Sequence, residues 1–267
     1  MSAYIGIGGV AKSISKMYIG VDGKARQVQK AYIGVNGVAR LWYQRGTLLG
    51  SYEVGKTVKI AVSGKDYDWL VVHQGIPDAG IYDASCNGTW LLMKDIYESR
   101  QWHSSNTNDY ANSTIHSYLN STFLNLFESN IKNAIKQVKL PYRKGSGTST
   151  TVTSGSNGLS AKIFLLSATE TSFSFSSYMP SGEGAELAYF KGCADNSSDS
   201  KRVAYLNGSA TLWWLRSPRC SNNSYSALCV SSDGDWLGSG CSYSYGIRPC
   251  IILPQDATVD DTGHVVA

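Results

Sequence analysis

The sequence predicts an α+β domain behind a small β-hairpin module. Three observations lead there. A 14-residue unit repeats at the start, a helical apolar period occupies one central stretch, and short apolar runs elsewhere are separated by Gly-, Ser- and Asn-rich loops.

The opening repeat comprises YIGIGGVAKSISKM (4–17), YIGVDGKARQVQKA (18–31) and YIGVNGVARLWYQR (32–45). Tyr4, Tyr18 and Tyr32 coincide, as do Gly6, Gly20 and Gly34. Gly8-Gly9, Asp22-Gly23 and Asn36-Gly37 fall at the centre of each unit, and such pairs favour the positive φ of a two-residue hairpin turn. Each unit therefore reads as one β-hairpin. A single hairpin is marginal in water, so the units must stack on each other, on the next domain or on other chains. Residues 1–45 are read as an attachment or oligomerisation module, and residues 46–267 as the main domain.

In the main domain, Thr57–Val62, Asp68–Val72 and Thr89–Met93 read as strands. Across 112–138, Ile115, Leu119, Phe123, Phe127, Ile131 and Ile135 make one apolar stripe, so this stretch reads as helical. Asn112 or Ser113 is the expected N-cap, a break near Asn120-Ser121 divides the stretch into two helices, and Pro141 ends it. Residues 144–160 are Gly/Ser/Thr-rich with no apolar period and read as a mobile loop. A buried strand (161–167) and a long excursion follow. LWWLRSP (212–218) and GIRPCIIL (246–253) then close the domain as core strands.

Bulk charge excludes some function classes. Residues 1–45 carry seven of the 24 Lys/Arg and one of the 20 acids, which leaves 17 basic and 19 acidic residues in the nearly neutral remainder. A nucleic-acid reader needs a basic patch on its folded domain, so none is expected as a partner. No apolar run is long enough to cross a membrane, and the start lacks a secretory signal pattern. The chain is expected to stay in the producing cell's cytoplasm or leave by lysis. That compartment argues against a disulfide framework among the six cysteines, and the lack of a C-x-x-C argues against a structural zinc site.

Enzyme motifs are also missing. His73, His103, His116 and His264 sit in no catalytic pattern, and no nucleophile elbow, phosphate loop or His-Glu-x-x-His is present. Trp213 and Trp214 are expected to point to opposite faces of an extended segment, one into the core and one against the loops. Arg216 and Arg248 are expected to tie loops to the scaffold.

One stretch stands apart. From Arg219 to Tyr245, eight of 27 residues are Ser, with three Tyr, three Cys, three Gly and neither Lys nor Glu. Ser, Gly, Asn and Tyr with an occasional Trp and Arg is the composition of a binding paratope: aromatics give contact area at small rotamer cost, and small polar residues give adaptable hydrogen bonds. Asp233-Gly234-Asp235 lacks the ligand spacing of a calcium loop and reads as a turn.

Two resemblances extend this reading. The N-terminal array resembles the Tyr-Ile-Gly-Val-Asp/Asn-Gly-Val-Ala-Arg repeats of tail and baseplate-associated proteins of bacteriophages of Gram-positive hosts. The set DWLVV, NSTIHSYLN, KIFLLSATE, WWLRSP and GIRP, over roughly 48–254, resembles a C-type-lectin-fold family shared with formylglycine-generating enzymes and with the variable proteins of diversity-generating retroelements. The resemblance implies a C-type-lectin-like α+β domain with long irregular loops and a variable region at about 215–250. Diversification of Asn codons yields Ser, Tyr, Asp, Gly and Cys but never Lys or Glu; Trp236 does not fit it. The implied contact residues are Arg219, Cys220, Ser221, Asn222, Asn223, Ser224, Tyr225, Asp235, Trp236, Leu237, Ser239, Cys241, Ser242, Tyr243, Ser244 and Tyr245. The implied scaffold is Ala227, Val230, Gly234, Gly246, Arg248 and Pro249.

The expectation is a phage receptor-binding protein, non-catalytic, with no cofactor and no metal. It would be carried at the virion's tail tip as a homotrimer. Its partners would be a host bacterial surface protein or glycan and, through residues 1–45, a tail or baseplate protein. The alternatives are a formylglycine-type oxidoreductase using Cys241 and Cys250, or a bacterial ligand-binding surface protein.

Overall fold

The structure is a computed structural model that describes residues 3–14, 16–28, 30–44, 46–174, 177–180, 182–195, 197–221 and 224–267. Strands make up 40% of it and helices 12%, so the α+β expectation is overturned and the protein is β-rich. The stretch expected to be helical, 112–138, is mostly helical but is a small share of the chain. It holds α1 (Thr114–Tyr118), a π turn over Leu119–Phe123, a 3₁₀ turn over Leu124–Leu126 and α2 (Ser129–Ala134).

The apolar stripe is real: all six of its residues are buried. Ser113 caps α1 by accepting from the His116 N–H at 3.1 Å. The run does not break at the expected Asn120-Ser121: it stays helical through Leu126 and is interrupted at Phe127-Glu128 (ψ 147° and 150°), while Asn120 ties the π turn to residues 162–163. The Asn120 side chain donates to the His116 and Ile163 carbonyls and accepts from the Lys162 and Ile163 N–H groups. One amide thus satisfies four backbone groups and holds the π turn against the 162–163 segment. Pro141 does not end a helix; it lies after a short strand, Val138–Leu140.

At the N-terminus, three separate antiparallel hairpins pair Ala3–Ile7 with Val10–Ile14, Tyr18–Val21 with Lys24–Gln27, and Lys30–Val35 with Val38–Gln44. Asp22-Gly23 and Asn36-Gly37 adopt positive φ at both positions (51° and 73°; 52° and 74°), as a type I′ turn requires. Tyr4 and Ile5, neighbours on opposite faces of their strand, are 56% and 47% exposed, and the equivalent residues of the other two units are similarly open.

The main domain is built on two five-stranded sheets. In chain order, its strands are β1 (Thr57–Val62), β2 (Lys65–Gly75), β3 (Gly88–Met93), β4 (Glu98–Gln101), β5 (Ile163–Phe164), β6 (Trp213–Pro218), β7 (Ser226–Val230), β8 (Trp236–Gly240), β9 (Ser244–Ile247) and β10 (Cys250–Leu253). One sheet has the order β5-β10-β3-β2-β1 and is antiparallel throughout. The other has the order β4-β9-β6-β7-β8, with a single parallel bridge, Trp213 to Gly246.

The central strands are buried on both faces, which explains why they read as continuous apolar runs. Alternate residues enter two clusters: Leu91, Trp214, Cys229 and Ile251 go to one, and Trp90, Trp213, Leu228 and Ile252 to the other. The GIRPCIIL segment expected as one closing strand is two, β9 and β10, in different sheets, with Arg248-Pro249 as the crossing point. The chain then continues: Thr258–Val259 pairs with Val265–Val266 and with Thr47–Leu48 at the start of the domain. No helix among the described residues is long and apolar enough to cross a membrane.

Candidate ligand-binding face

β6 is the anchor from which the 219–245 segment departs. All six of its residues are buried. Trp213 and Trp214 do point to opposite faces, but both faces are core. Their indole N–H groups donate to the Arg202 and Arg100 carbonyls, each at 2.9 Å. Arg216 is fully buried. It grips Glu170 through two contacts (2.5 and 2.7 Å) and donates to the Leu165, Glu183 and Pro141 carbonyls at 3.0, 3.0 and 3.3 Å. Glu170 also accepts from the Tyr82 hydroxyl (2.7 Å) and the Ser167 N–H (2.9 Å). Next to this pair, Glu183 accepts from the Ser217 hydroxyl and, at 3.3 Å, from the Arg143 N–H, and burial pushes its carboxyl up to about 7. The excursion between β5 and β6 is therefore locked to β6 from inside the protein. Sequence reading placed Arg216 as a tie but missed Glu170 and Glu183, which lie in a Ser-rich stretch with no period to mark them.

Just beyond β6, backbone hydrogen bonds fix residues 219–220 and 224. Arg219 N–H donates to the Ser226 carbonyl, Cys220 N–H to that of Tyr178, and Asn108 N–H to that of Ser224. The buried Asn108 amide also donates to the Arg219 carbonyl at 3.1 Å. Asn222 and Asn223 lie outside the described residues. β7 and β8 then form a hairpin in which Ser226 faces Gly240 and Val230 faces Trp236. At its turn Gly234 has φ +88°, and a Cβ there would lie 2.1 Å from the Asp199 carbonyl oxygen, so no other residue fits. The Asp233 carboxylate accepts from the Ser231 and Ser198 hydroxyls, which hold it down at about 2. It is committed to the turn. Among the described residues, no group of three His, Cys, Asp or Glu could hold a metal ion.

The segment returns through 241–245. Cys241 N–H donates to the Tyr225 carbonyl at 2.8 Å, which brings the two ends of the β7–β8 hairpin's open side together. Tyr243 stacks on Tyr245 (6.4 Å, 20° between planes), and Tyr245 in turn packs on Trp214 at 4.9 Å. Ser239 donates to the Tyr245 hydroxyl at 3.1 Å, and Gln101 donates to the Ser242 carbonyl at 2.8 Å.

The sixteen expected contact residues thus divide. Tyr225 (49%), Tyr243 (61%), Ser224 and Ser244 are exposed. Arg219, Ser221, Asp235, Trp236, Leu237, Ser239, Ser242 and Tyr245 are half-buried. Cys220 and Cys241 are buried: the Cys220 thiol turns to the Ser149 carbonyl (3.2 Å) and Cys241 is in the core. Leu237 packs against the same core. The scaffold positions Ala227, Val230, Gly234, Gly246, Arg248 and Pro249 are all buried.

Among the aromatic contact residues expected from the sequence, Tyr243 and Tyr245 are in ring contact, and the Cys241-to-Tyr225 backbone bond brings Tyr225 to the same end of the hairpin. Trp236 is set apart at the far end of β8, about 13 Å along the strand. There Trp236 lies against Tyr178 (5.4 Å), whose ring also faces the Arg219 guanidinium at 5.2 Å. Tyr178 belongs to the face but was missed, since it comes from the distant 168–186 excursion.

Cys241 and Cys250, the pair an oxidoreductase reading would need, are both fully buried. Burial pushes the Cys241 thiol up to about 12 and that of Cys250 well above its ordinary value.

No curated protein matches this chain, and no solved structure does. One family model matches, described as "Domain of unknown function (DUF6273)", over residues 87–255. The match runs from just before β3 to just after β10 and takes in the whole 219–245 face as well as Glu170 and Arg216. Covering more than half of the 267 residues, it shows that the chain belongs to the DUF6273 family.

Proposed function

We propose that this protein is a non-catalytic receptor-binding protein that presents the 219–245 face to a ligand on a host cell surface, either a protein or a glycan. The observation that carries the reading is a contrast within one short segment. Tyr225 and Tyr243 stand open among Ser224, Ser242 and Ser244, while the β7 residues between them in sequence are all buried. Such a segment can change its exposed residues without touching its core, as a diversified contact surface requires. Tyr and Ser on a rigid sheet also give contact area and hydrogen bonds at low ordering cost. The composition and the resemblance to retroelement-diversified proteins support the same reading.

The hairpin array of residues 1–45 would attach the chain to a phage tail or join three copies. Its apolar side chains, open on both strand faces, are what a docking module leaves uncovered before assembly. Display of several copies on one particle would turn weak single-site binding into firm attachment.

The test is adsorption. Purified protein competes with phage for host cells, and the Tyr225→Ala/Tyr243→Ala double variant is compared with wild type. Two aromatic anchors at a hot spot are worth about 2 kcal/mol or more each, so competition should be lost while the circular dichroism spectrum is kept. Unchanged competition would sink the proposal.

A further inference from the structure

A second site lies away from this face. A groove of about 660 Å³ opens where β2, the β3–β4 connection and a small hairpin, Tyr205–Leu206 with Ser209–Ala210, converge. Its volume is within the ~300–1,000 Å³ range of small-ligand sites. Met93 and Ile96 are buried beneath it. The far end of the β4–β9 ladder separates it from the face: Tyr97 N–H donates to the Ile247 carbonyl, whereas Gln101, at the face, pairs with Ser244.

Three tyrosines line the groove. Tyr67 and Tyr97 form a half-buried pair with ring centroids 5.6 Å apart and planes at 59°, and Tyr205 stands 47% exposed on the small hairpin. The hairpin turn carries Asn207 at φ +52°, with its side chain exposed. Three lysines and three aspartates complete the lining, so its formal charge is zero.

Those charges are largely spoken for. Lys94 pairs with Asp68 at 3.7 Å, and Asp66 meets the His264 ring nitrogen at 2.8 Å. Asp95 accepts from the Tyr205 N–H at 3.3 Å, and the Lys65 ammonium lies 5.2 Å from the Tyr67 ring centre. An anionic ligand would meet three carboxylates, and a cationic one three ammonium groups. What the groove offers instead is aromatic surface bordered by many hydrogen-bond donors and acceptors at no net charge. A ligand that stacks C–H faces on rings and exchanges hydroxyl hydrogen bonds around its rim satisfies all of it.

We infer that this groove binds a neutral oligosaccharide. The inference does not rest on the proposed role of the 219–245 face.

The probes are cellotetraose, maltotetraose and tetra-N-acetylchitotetraose, with a heparin-derived tetrasaccharide as the anionic comparison. Binding to the full chain is followed by saturation-transfer NMR and titration. The variants are Tyr205→Ala and Asn207→Gly, both on an exposed hairpin, the second chosen because glycine keeps the positive φ. At least one neutral sugar should bind. Tyr205→Ala should weaken it about three- to tenfold, the equivalent of one lost aromatic contact, and Asn207→Gly should also weaken it. Tyr225→Ala/Tyr243→Ala should leave it unchanged, so the two sites fail or succeed separately. No binding by any neutral sugar, tighter binding of the heparin fragment, or affinity indifferent to both groove variants would overturn the inference.

Discussion

Replacing Glu170 with alanine would strip the buried Arg216 guanidinium of its carboxylate contacts at 2.5 and 2.7 Å, the only ones among the described residues, and leave it three carbonyls there. The Tyr82 hydroxyl and the Ser167 N–H would lose their acceptors as well. Both charged side chains are 0% exposed, so water cannot replace what is removed. Breaking a buried pair from one side costs about 3–5 kcal/mol, mostly because the surviving charge stays buried and unpaired. The two orphaned donors add to this, though not additively. A loss of at least about 3 kcal/mol is expected, a large part of the ~5–15 kcal/mol that holds a typical domain. Glu170→Gln keeps the shape and part of the hydrogen bonding, so it should fall between wild type and Glu170→Ala. Urea unfolding followed by tryptophan fluorescence reads the order. A loss below about 1 kcal/mol for Glu170→Ala, or Gln no better than Ala, would refute the claim that this pair locks the excursion to β6.

Two further predictions concern titration and thiols. Burial raises the Glu183 carboxyl from 4.5 to about 7, so the native state holds a proton that the unfolded state has released. Its favourable contribution is complete below pH 4.5 and is lost as pH rises to about 7. His116 acts oppositely: burial lowers it from 6.5 to about 4, so stability falls as pH drops through that window. The stability of wild type relative to Glu183→Gln should therefore decline between pH 4.5 and 7, which pH-resolved urea midpoints measure; a flat difference would contradict the burial argument. All six cysteines are free and buried, so iodoacetamide should label native protein slowly, Cys193 (8% exposed) and Cys220 (6%) first, and all six after denaturation. Mass spectrometry that found Cys229, Cys241 or Cys250 modified early would show the core to be open.

How much of this was legible in the sequence depended on whether the signal was local. The Asp22-Gly23 and Asn36-Gly37 turns carry their own conformation, and β1 falls where its apolar alternation placed it. The 112–138 stretch shows the limit. Its apolar stripe correctly named the buried side chains, but the break expected near Asn120-Ser121 falls instead at Phe127-Glu128, because the run continues through a π turn held to 162–163 by Asn120. The Arg248-Pro249 crossing was invisible for a similar reason: the buried end of β9 (Gly246, Ile247) and all of β10 are interior on either side of a buried Arg248, so 246–253 reads as one core segment although it spans two sheets. At the candidate face, composition marked the segment, but nothing local separated the open Tyr225 and Tyr243 from the buried Cys241. Trp236 could be recognised as an outlier from its codon chemistry. That it packs on Tyr178, far along the chain, could not.

If 219–245 is a changeable contact surface on a fixed scaffold, the codons of the gene record it. The gene's 215–250 segment should be sequenced deeply across isolates, together with the flanking DNA. Variation should concentrate at the exposed and half-buried polar and aromatic positions, Ser224, Tyr225, Ser242, Tyr243, Ser244 and Tyr245, with a near-identical template repeat differing at adenines. Ala227, Leu228, Val230, Gly234, Gly246 and Arg248, all buried, should stay fixed. Variation spread evenly over both sets, or confined to the buried one, would contradict a changeable surface.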